Sequence, residues 1–390
     1  MEFELWWLLA LPITFGLGWL GSRLDLRQWK RESELRRDAP LSYFRGLNFL
    51  LTEQQDKAID AFIEAVTADP NTVDLHFALG NLFRRRGEYE RAVRVHQNLL
   101  SRNDLPAAER QRAQVALAQD FFKAGLLDRA EAVYTTLAAS PYKSEALAAL
   151  LQIHERTKEW PRAIDIAGQL ERLGAGSYGR QIAHYCCELG LQRQQSGDLE
   201  GMREALEQAV LAQPQAVRPW QLRAATALQQ DQPAQALEHL RHIAQMQPDF
   251  TALVALDAAR LFLQLGQADA GRTWLLAQLQ DYPAIDVLDA VLLLEADASE
   301  RYHLALAYLQ THKSLLAARR VLEQSNTALS PEPARLALAQ AVEGALKTRQ
   351  RYRCAACGFE ARNYTWHCPA CQGWETYPPR RTEELQLITP

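Results

Sequence analysis

Small and bulky residues return at intervals of 34 positions along this chain, and that period restricts the fold more than any other feature. Gly46, Phe49, Ala58, Phe62, Ala65 and Pro70 recur 34 residues later as Gly80, Phe83, Ala92, His96, Leu99 and Asp104. Such spacing belongs to pairs of antiparallel helices. Small side chains mark where the two axes approach closely, and an aromatic of the first helix fills the gap toward the next pair.

This is tetratricopeptide spacing, and it continues. Leu117, Ala118, Phe121, Gly125, Ala130 and Tyr134 form a further unit, followed by Leu150, Leu151, Trp160 and Ala163. Pro161 stands beside Trp160, where a proline can open the second helix. Leu189, Gly190, Gly197, Leu206, Ala209 and Pro214 follow, then Trp220, Ala224, Ala236, Leu240 and Pro248, then Ala259, Gly266, Gly271, Leu275 and Pro283. The unit from Leu75 to Leu99 fits best. Residues 286–346 read as amphipathic helices interrupted by Pro331 and Pro333, consistent with divergent repeats and a capping helix. Only 19 glycines and 17 prolines in 390 residues also favour helix. The expected class is all-α, a superhelical solenoid. Such solenoids bind peptides or proteins along a concave face lined by the first helix of each pair. There Asn81, Arg84 and Arg85 offer a polar strip, or simply solvated positions.

The second constraint lies near the C-terminus, in RYRCAACGFEARNYTWHCPACQGW. Cys354/Cys357 and Cys368/Cys371 are two Cys-x-x-Cys pairs with ten residues between them. A pair on a tight turn aims two sulfurs at one ion, and a second pair completes a tetrahedral four-thiolate site. Gly358 suits the positive φ such a turn needs, and Pro369 stiffens the second turn. No position stays open for water or substrate, so one structural metal is expected, zinc or iron. Two disulfides in a small secreted module are the alternative. The rest of the chain reads as cytosolic, where thiols stay reduced. Tyr352, Phe359, Tyr364, Trp366 and Trp374 are expected to pack around the metal, and His367 to be a neighbour rather than a ligand. An apolar rim of this size is expected to dock on the repeats.

At the other end, Leu5 to Ser22 carries no charge and is long enough to span a bilayer, with Trp6, Trp7 and Trp19 near its ends. A cleaved signal peptide would want basic residues ahead of the run, where Glu2 and Glu4 stand instead. Arg23, Arg27, Lys30, Arg31, Arg36 and Arg37 follow, so the positive-inside rule places the bulk of the chain in the cytoplasm. Gly18 and Ser22 have small-xxx-small spacing, which is compatible with a homo-oligomer.

Nucleotide-binding loops, metalloprotease motifs and nucleophile elbows are absent from the sequence, and nothing supports an enzyme. Cys186 and Cys187 read as small apolar helix residues. His184 shares their helix, but spacings of two and three residues do not bring such a group onto one face. Net charge −4 gives no overall drive toward nucleic acid. Lys347, Arg349, Arg351, Arg353, Arg362, Arg380 and Arg381 nevertheless form a basic stretch, which leaves a nucleic-acid-binding zinc ribbon as one alternative.

The order of anchor, tetratricopeptide repeats and four-cysteine module resembles the lipopolysaccharide assembly protein B family of Gram-negative bacteria. The resemblance rests on Asn48-Phe49-Leu50-Leu51, Gln54-Gln55-Asp56-Lys57-Ala58, Leu79-Gly80-Asn81-Leu82-Phe83-Arg84 and Arg86-Gly87-Glu88. It continues in Ile182-Ala183-His184, Cys187-Glu188-Leu189, Arg351-Tyr352-Arg353-Cys354, Cys357-Gly358-Phe359 and Trp366-His367-Cys368-Pro369 with Cys371. It is weakest across 286–346. The resemblance implies a rubredoxin-like module and a non-enzymatic adaptor of the inner membrane. That adaptor would bring the lipid A deacetylase LpxC to the membrane protease FtsH and be opposed by a lipopolysaccharide-sensing membrane protein. A general scaffold for assembling envelope enzymes is the other reading. The expected segments are 1–22 (transmembrane anchor), 23–38 (basic linker), 39–285 (repeats), 286–346 (divergent repeats and cap) and 347–390 (metal-binding module and tail).

Overall fold

The computed structural model describes residues 72–312, 314–324 and 352–384, together with 14–16, 18–19, 44–49, 52, 54–68, 339–340 and 342–346. Most of the expected anchor, the basic linker, and Pro331 and Pro333 lie outside the described residues. Among the described residues no helix is long and apolar enough to cross a membrane. The chain divides into two compact units, Met1–Glu159 and Trp160–Pro390.

In the first unit the helices are α1 (Gln55–Ala68), α2 (Val73–Arg85), α3 (Tyr89–Leu100), α4 (Ala107–Lys123), α5 (Leu127–Leu137) and α6 (Lys143–Thr157). Each packs on the next in sequence, and α2 also touches α4, as expected of stacked pairs. The second unit continues with α7 (Trp160–Arg172), α8 (Gly179–Gln195), α9 (Leu199–Ala212), α10 (Val217–Gln229), α11 (Pro233–Met246), α12 (Thr251–Gln264) and α13 (Ala268–Asp281). It ends with α14 (Ile285–Leu294), α15 (Ala298–His312), α16 (Leu315–Gln324) and the short strands β1 (Tyr352–Arg353) and β2 (Glu360–Ala361).

Many of the helix ends share one device, a residue in the left-handed region just after the helix. Gly87, Gly125, Gly197 and Gly266 fill it, with φ of 79°, 76°, 83° and 68°; Lys158 and Asp231 fill it without help from glycine, at 58° and 55°. At Asp231 the break is completed by Pro233 at the start of α11, where a missing N–H costs nothing. Capping the helix end with φ > 0 satisfies carbonyls that the helix leaves open, as when Glu88 N–H donates to the Phe83 carbonyl.

Between the helices the repeating small residues have a direct steric reason. A Cβ added at Gly80 would lie 2.5 Å from the His96 ring, and one at Gly46 would lie 2.9 Å from Phe62. His96 cannot swing away. It is fully buried, with Nδ1 held 2.5 Å from Asp120 Oδ2, while Arg84 donates to Asp120 Oδ1 at 2.8 Å and to the Asn81 side-chain oxygen at 2.6 Å. Asn81 and Arg84, themselves half-buried, are therefore tied to the buried His96 and Asp120 between successive pairs rather than forming a free strip. Gly80→Ala is expected to cost about 1–3 kcal/mol through overpacking. By contrast, Gly190→Ala meets only ordinary contacts at 3.6 Å and is expected to be neutral or to stabilise by up to about 1 kcal/mol through helix propensity. Denaturant midpoints of the two variants would show the opposite signs.

From α14 onward the repeat pattern changes. Helix α14 packs on α12 and α13 as the opening helix of another pair, whereas α15 packs most closely on α16. Ile285, Leu288, Leu292, Ala305, Tyr308, Leu316, Ala317 and Leu346 make a separate core there.

Candidate metal centre and its seat on the repeats

Each Cys-x-x-Cys sits at the tip of a tight turn built the same way. In the first, β1 and β2 pair antiparallel (Tyr352 with Ala361, Arg353 with Glu360), Cys354 N–H donates to the Phe359 carbonyl, and Gly358 has φ 77°. In the second, His367 bridges Trp374, Cys368 N–H donates to the Gly373 carbonyl, and Gln372 takes the left-handed position at φ 58°. Gln372 also donates from its side chain to the Pro369 carbonyl at 2.8 Å. The sequence marks the first turn with a glycine; the second uses a non-glycine residue in the same conformation.

The two tips bring all four sulfurs within 4.8 Å of one another. Cys354 Sγ lies 3.8 Å from Cys371 Sγ, and Cys357 Sγ 3.7 Å from Cys368 Sγ. A tetrahedron of metal–sulfur bonds of about 2.3 Å has edges of about 3.8 Å, so the four thiols fit one zinc- or iron-sized ion. Cys354 and Cys368 are buried, whereas Cys357 and Cys371 are exposed. Burial pushes the Cys354 thiol up, but the Thr376 hydroxyl at 3.2 Å and the backbone N–H groups of Cys357 and Ala356 outweigh it, bringing it down to about 6. The Tyr377 hydroxyl lies 3.6 Å from Cys368 Sγ. His367 is engaged elsewhere, its Nε2 3.0 Å from the Gln372 carbonyl and its ring stacked on Trp374.

Of the aromatics expected around the metal, Tyr352 and Tyr364 are there, packed with Cys354, Cys368 and Tyr377. Phe359 is exposed. Trp366 and Trp374 face the other way, onto the turn before α12 and onto α8. Trp366 stacks on Phe250 with centroids 5.9 Å apart and planes 2° from parallel. Trp374 stacks on His184 at 4.9 Å and meets the edge of Tyr185 at 6.0 Å, both on α8. Tryptophan supplies large apolar area in a fixed shape, so these two rings anchor the seat.

Charges surround the anchors. Glu375 lies 3.2 Å from Arg180 and 3.7 Å from His184 Nε2. Arg218 donates to Glu188 at 2.6 Å, its guanidinium 5.8 Å from the Trp374 ring. Arg380 pairs with Asp249 at 3.2 Å and Arg381 with Asp286 at 3.1 Å. Two members of the basic stretch are therefore committed to acidic residues of the repeats, which weakens the nucleic-acid alternative.

His184, whose spacing argues against a site shared with Cys186 and Cys187, instead meets Trp366, Trp374 and Glu375 of the module. No local signal reveals it. Its neighbours Cys186 and Cys187 are core residues whose thiols burial pushes up to about 11 and about 12, where they are inert. Burial holds the His184 imidazole below its ordinary value of 6.5, against the upward pull of Glu375 and with Arg218 and Arg180 adding to the downward side. The docked state thus favours neutral His184, and where undocking relieves that burial the imidazole moves back toward its ordinary range. The undocked state then binds more protons as the pH falls through about 6.5, so docking is expected to weaken progressively below that pH and to be little affected above it. Hydrogen exchange of residues 352–384 between pH 7.5 and 5.5 is expected to show this, at no more than roughly tenfold per pH unit. His184→Gln is expected to flatten the profile.

One other group among the described residues gathers ligand-type atoms within 4.8 Å, namely Glu131, His154 and Glu159. There His154 Nδ1 lies 3.0 Å from Glu159 Oε2, a hydrogen-bond contact at the end of α6.

The fold and the site together define a class, a tetratricopeptide-repeat protein with a small cysteine-knuckle module seated on its own repeats. Family profiles agree. One described as rubredoxin metal binding domain matches residues 352–379, and one described as tetratricopeptide repeat matches 75–108. Over its whole length the chain is similar to lipopolysaccharide assembly protein B of Escherichia coli K12, 32% identical over 382 residues that cover 96% of this chain and 97% of that one. The protein of that name from Haemophilus influenzae is 30% identical over 391 residues, covering 96% and 98%. This chain belongs to the lipopolysaccharide assembly protein B family. Solved structures match less well. YrrB, a tetratricopeptide-repeat protein with an unusual peptide-binding site, is 15% identical with a TM-score of 0.35, covering 50% of this chain and 96% of its own. The Naa15/Naa10 complex bound to HypK-THB gives 16% and 0.40, covering 81% and 46%.

Proposed function

We propose that this protein is a non-enzymatic adaptor in lipopolysaccharide assembly, tethered to the inner membrane by residues 5–22 with the repeats on the cytoplasmic side. In this reading Cys354, Cys357, Cys368 and Cys371 ligate one structural zinc or iron ion. The adaptor presents the lipid A deacetylase LpxC to the membrane protease FtsH, under the control of a lipopolysaccharide-sensing membrane protein. The observation that carries the reading is the end-to-end match to the family, 96% of this chain against 97% of the Escherichia coli relative.

The geometry supports a scaffold. Four thiolates leave a metal no open coordination position, so the ion would serve folding rather than chemistry. The seated module turns the repeats and the knuckles of the second unit into one composite surface. Tethering it to the membrane that holds the protease raises effective concentration without new contacts.

The test is a crosslinking pull-down from membranes, comparing wild type with Cys357→Ser/Cys371→Ser. Recovery of protease and deacetylase with wild type alone supports the metal-dependent adaptor. Recovery of neither, with other envelope enzymes captured instead, replaces it by a general assembly scaffold. An unchanged deacetylase half-life after depletion of this protein would rule out regulated proteolysis.

A further inference from the structure

Directly after the second knuckle the chain runs back across the repeats in residues 376–384. Its beginning is fastened to the cysteines. The Thr376 hydroxyl lies 3.2 Å from Cys354 Sγ, the Thr376 carbonyl accepts from Ala355 N–H at 2.8 Å, and the Tyr377 hydroxyl reaches Cys368 Sγ. Pro378 and Pro379 follow, two residues with fixed φ that give the segment little slack. Arg381 then grips Asp286 while lying 4.5 Å over the Tyr352 ring.

The far end is two glutamates that finish two different helices. Glu384 accepts from Ile285 N–H, the first residue of α14, at 2.8 Å; Ala284, at the α14 N-cap, has no side chain able to do so. Glu383 accepts from Leu315 N–H at 2.5 Å and from the Ser314 hydroxyl at 3.0 Å, while Ser314 Oγ in turn accepts from Leu316 and Ala317 N–H. Both glutamates are buried, at 3% and 6% exposure. A buried carboxylate on the open N–H groups at a helix start satisfies donors that water cannot reach and meets the positive end of the dipole. If such an acceptor is withdrawn, the stranded N–H groups destabilise the first turn.

We propose that residues 376–384 form a coupling strap through which the folded cysteine knuckles hold α14, α15 and α16 in place, so that emptying the metal site releases these last helices. The knuckles fix Thr376 and Tyr377; the strap fixes Glu383 and Glu384; the glutamates fix the starts of α14 and α16. Helix α15 follows because it packs between them in the core of Ile285, Leu288, Ala305, Tyr308 and Leu316. The metal's occupancy is thereby read out at the end of the repeat stack, independently of which partner the protein binds.

Hydrogen exchange on the full-length protein tests this, with metal content measured in parallel. On removing the metal with a chelator, amides of residues 285–294 and 315–324 are expected to exchange at least tenfold faster together with 352–384, while α9 and α11 keep their rates. Glu383→Ala/Glu384→Ala is expected to keep its metal and the protection of 354–374 yet to lose protection at α14 and α16. Glu383→Gln/Glu384→Gln, which keeps an acceptor oxygen, should fall between. Unchanged rates at α14 and α16 in the chelated protein would overturn the coupling, even if the alanine pair loosened them, because the glutamates would then be local caps only. Unchanged rates in a metal-loaded alanine pair would overturn the strap itself.

Discussion

Cys354→Ser is expected to empty the four-thiolate site and unfold residues 352–384 while leaving most of the repeat helicity intact. The knuckles have two strands of two residues each and a core of four buried side chains. So small a unit cannot stand on hydrophobic burial alone, and a structural ion contributes on the order of 10 kcal/mol to its folding. The serine oxygen is a harder, less readily ionised donor than the thiolate it replaces, and Cys354 is also the sulfur held by Thr376. Metal content is expected to fall from about one ion per chain to none, and the amides of the module to exchange as in an open chain. Far-UV dichroism is expected to drop only slightly. Retention of metal at the wild-type level would remove Cys354 from the ligand set.

Trp366→Ala separates docking from metal binding. The indole stacks on Phe250, lies 5.7 Å from His184 and 5.0 Å from Tyr364, and packs against the core formed by α10 to α14. Removing a packed tryptophan costs about 3 kcal/mol or more, a factor of about a hundred in the docking equilibrium. No bond of Trp366 side chain reaches a sulfur, so the variant is expected to keep its metal while the strap and the α8 face become accessible to protease. In membranes the adaptor function should weaken to the same degree as docking. A variant that docks normally would place the anchoring energy on Trp374 and the surrounding ion pairs instead.

The contrast between the two variants follows from where each residue's partners lie. The cysteines find one another across 11 and 17 residues, a separation that two tight turns span. Trp366 finds Phe250, more than a hundred residues earlier, and its effect depends on the repeat core around Phe250 being folded.

What could be read from the sequence divides along the same line. The helix pairs were legible because 3.6-residue periodicity and the 34-residue return of small residues record contacts inside a helix and between neighbours. Gly80 against His96 and Gly46 against Phe62 are such contacts, and the structure places them as close approaches. The four cysteines were legible because their spacing is itself the geometry of the turns that present them.

The role of His184, the outward turn of Trp366 and Trp374, the commitment of Arg380 and Arg381 to Asp249 and Asp286, and the double capping by Glu383 and Glu384 were not legible. The arginine pairs and the two caps join residues from 68 to 131 positions apart, and no local period encodes them. A tryptophan near a cysteine is equally suited to cover the metal or to leave it, and an arginine equally suited to solvent or to a carboxylate. The sequence by itself determined that the chain builds helix pairs and gathers four thiols. That the knuckles dock on the repeats also followed from their apolar rim; only the tertiary structure decided where they sit, because that outcome depends on bringing an aromatic and charged rim into register with His184, Phe250 and Asp286, which are distant in the chain.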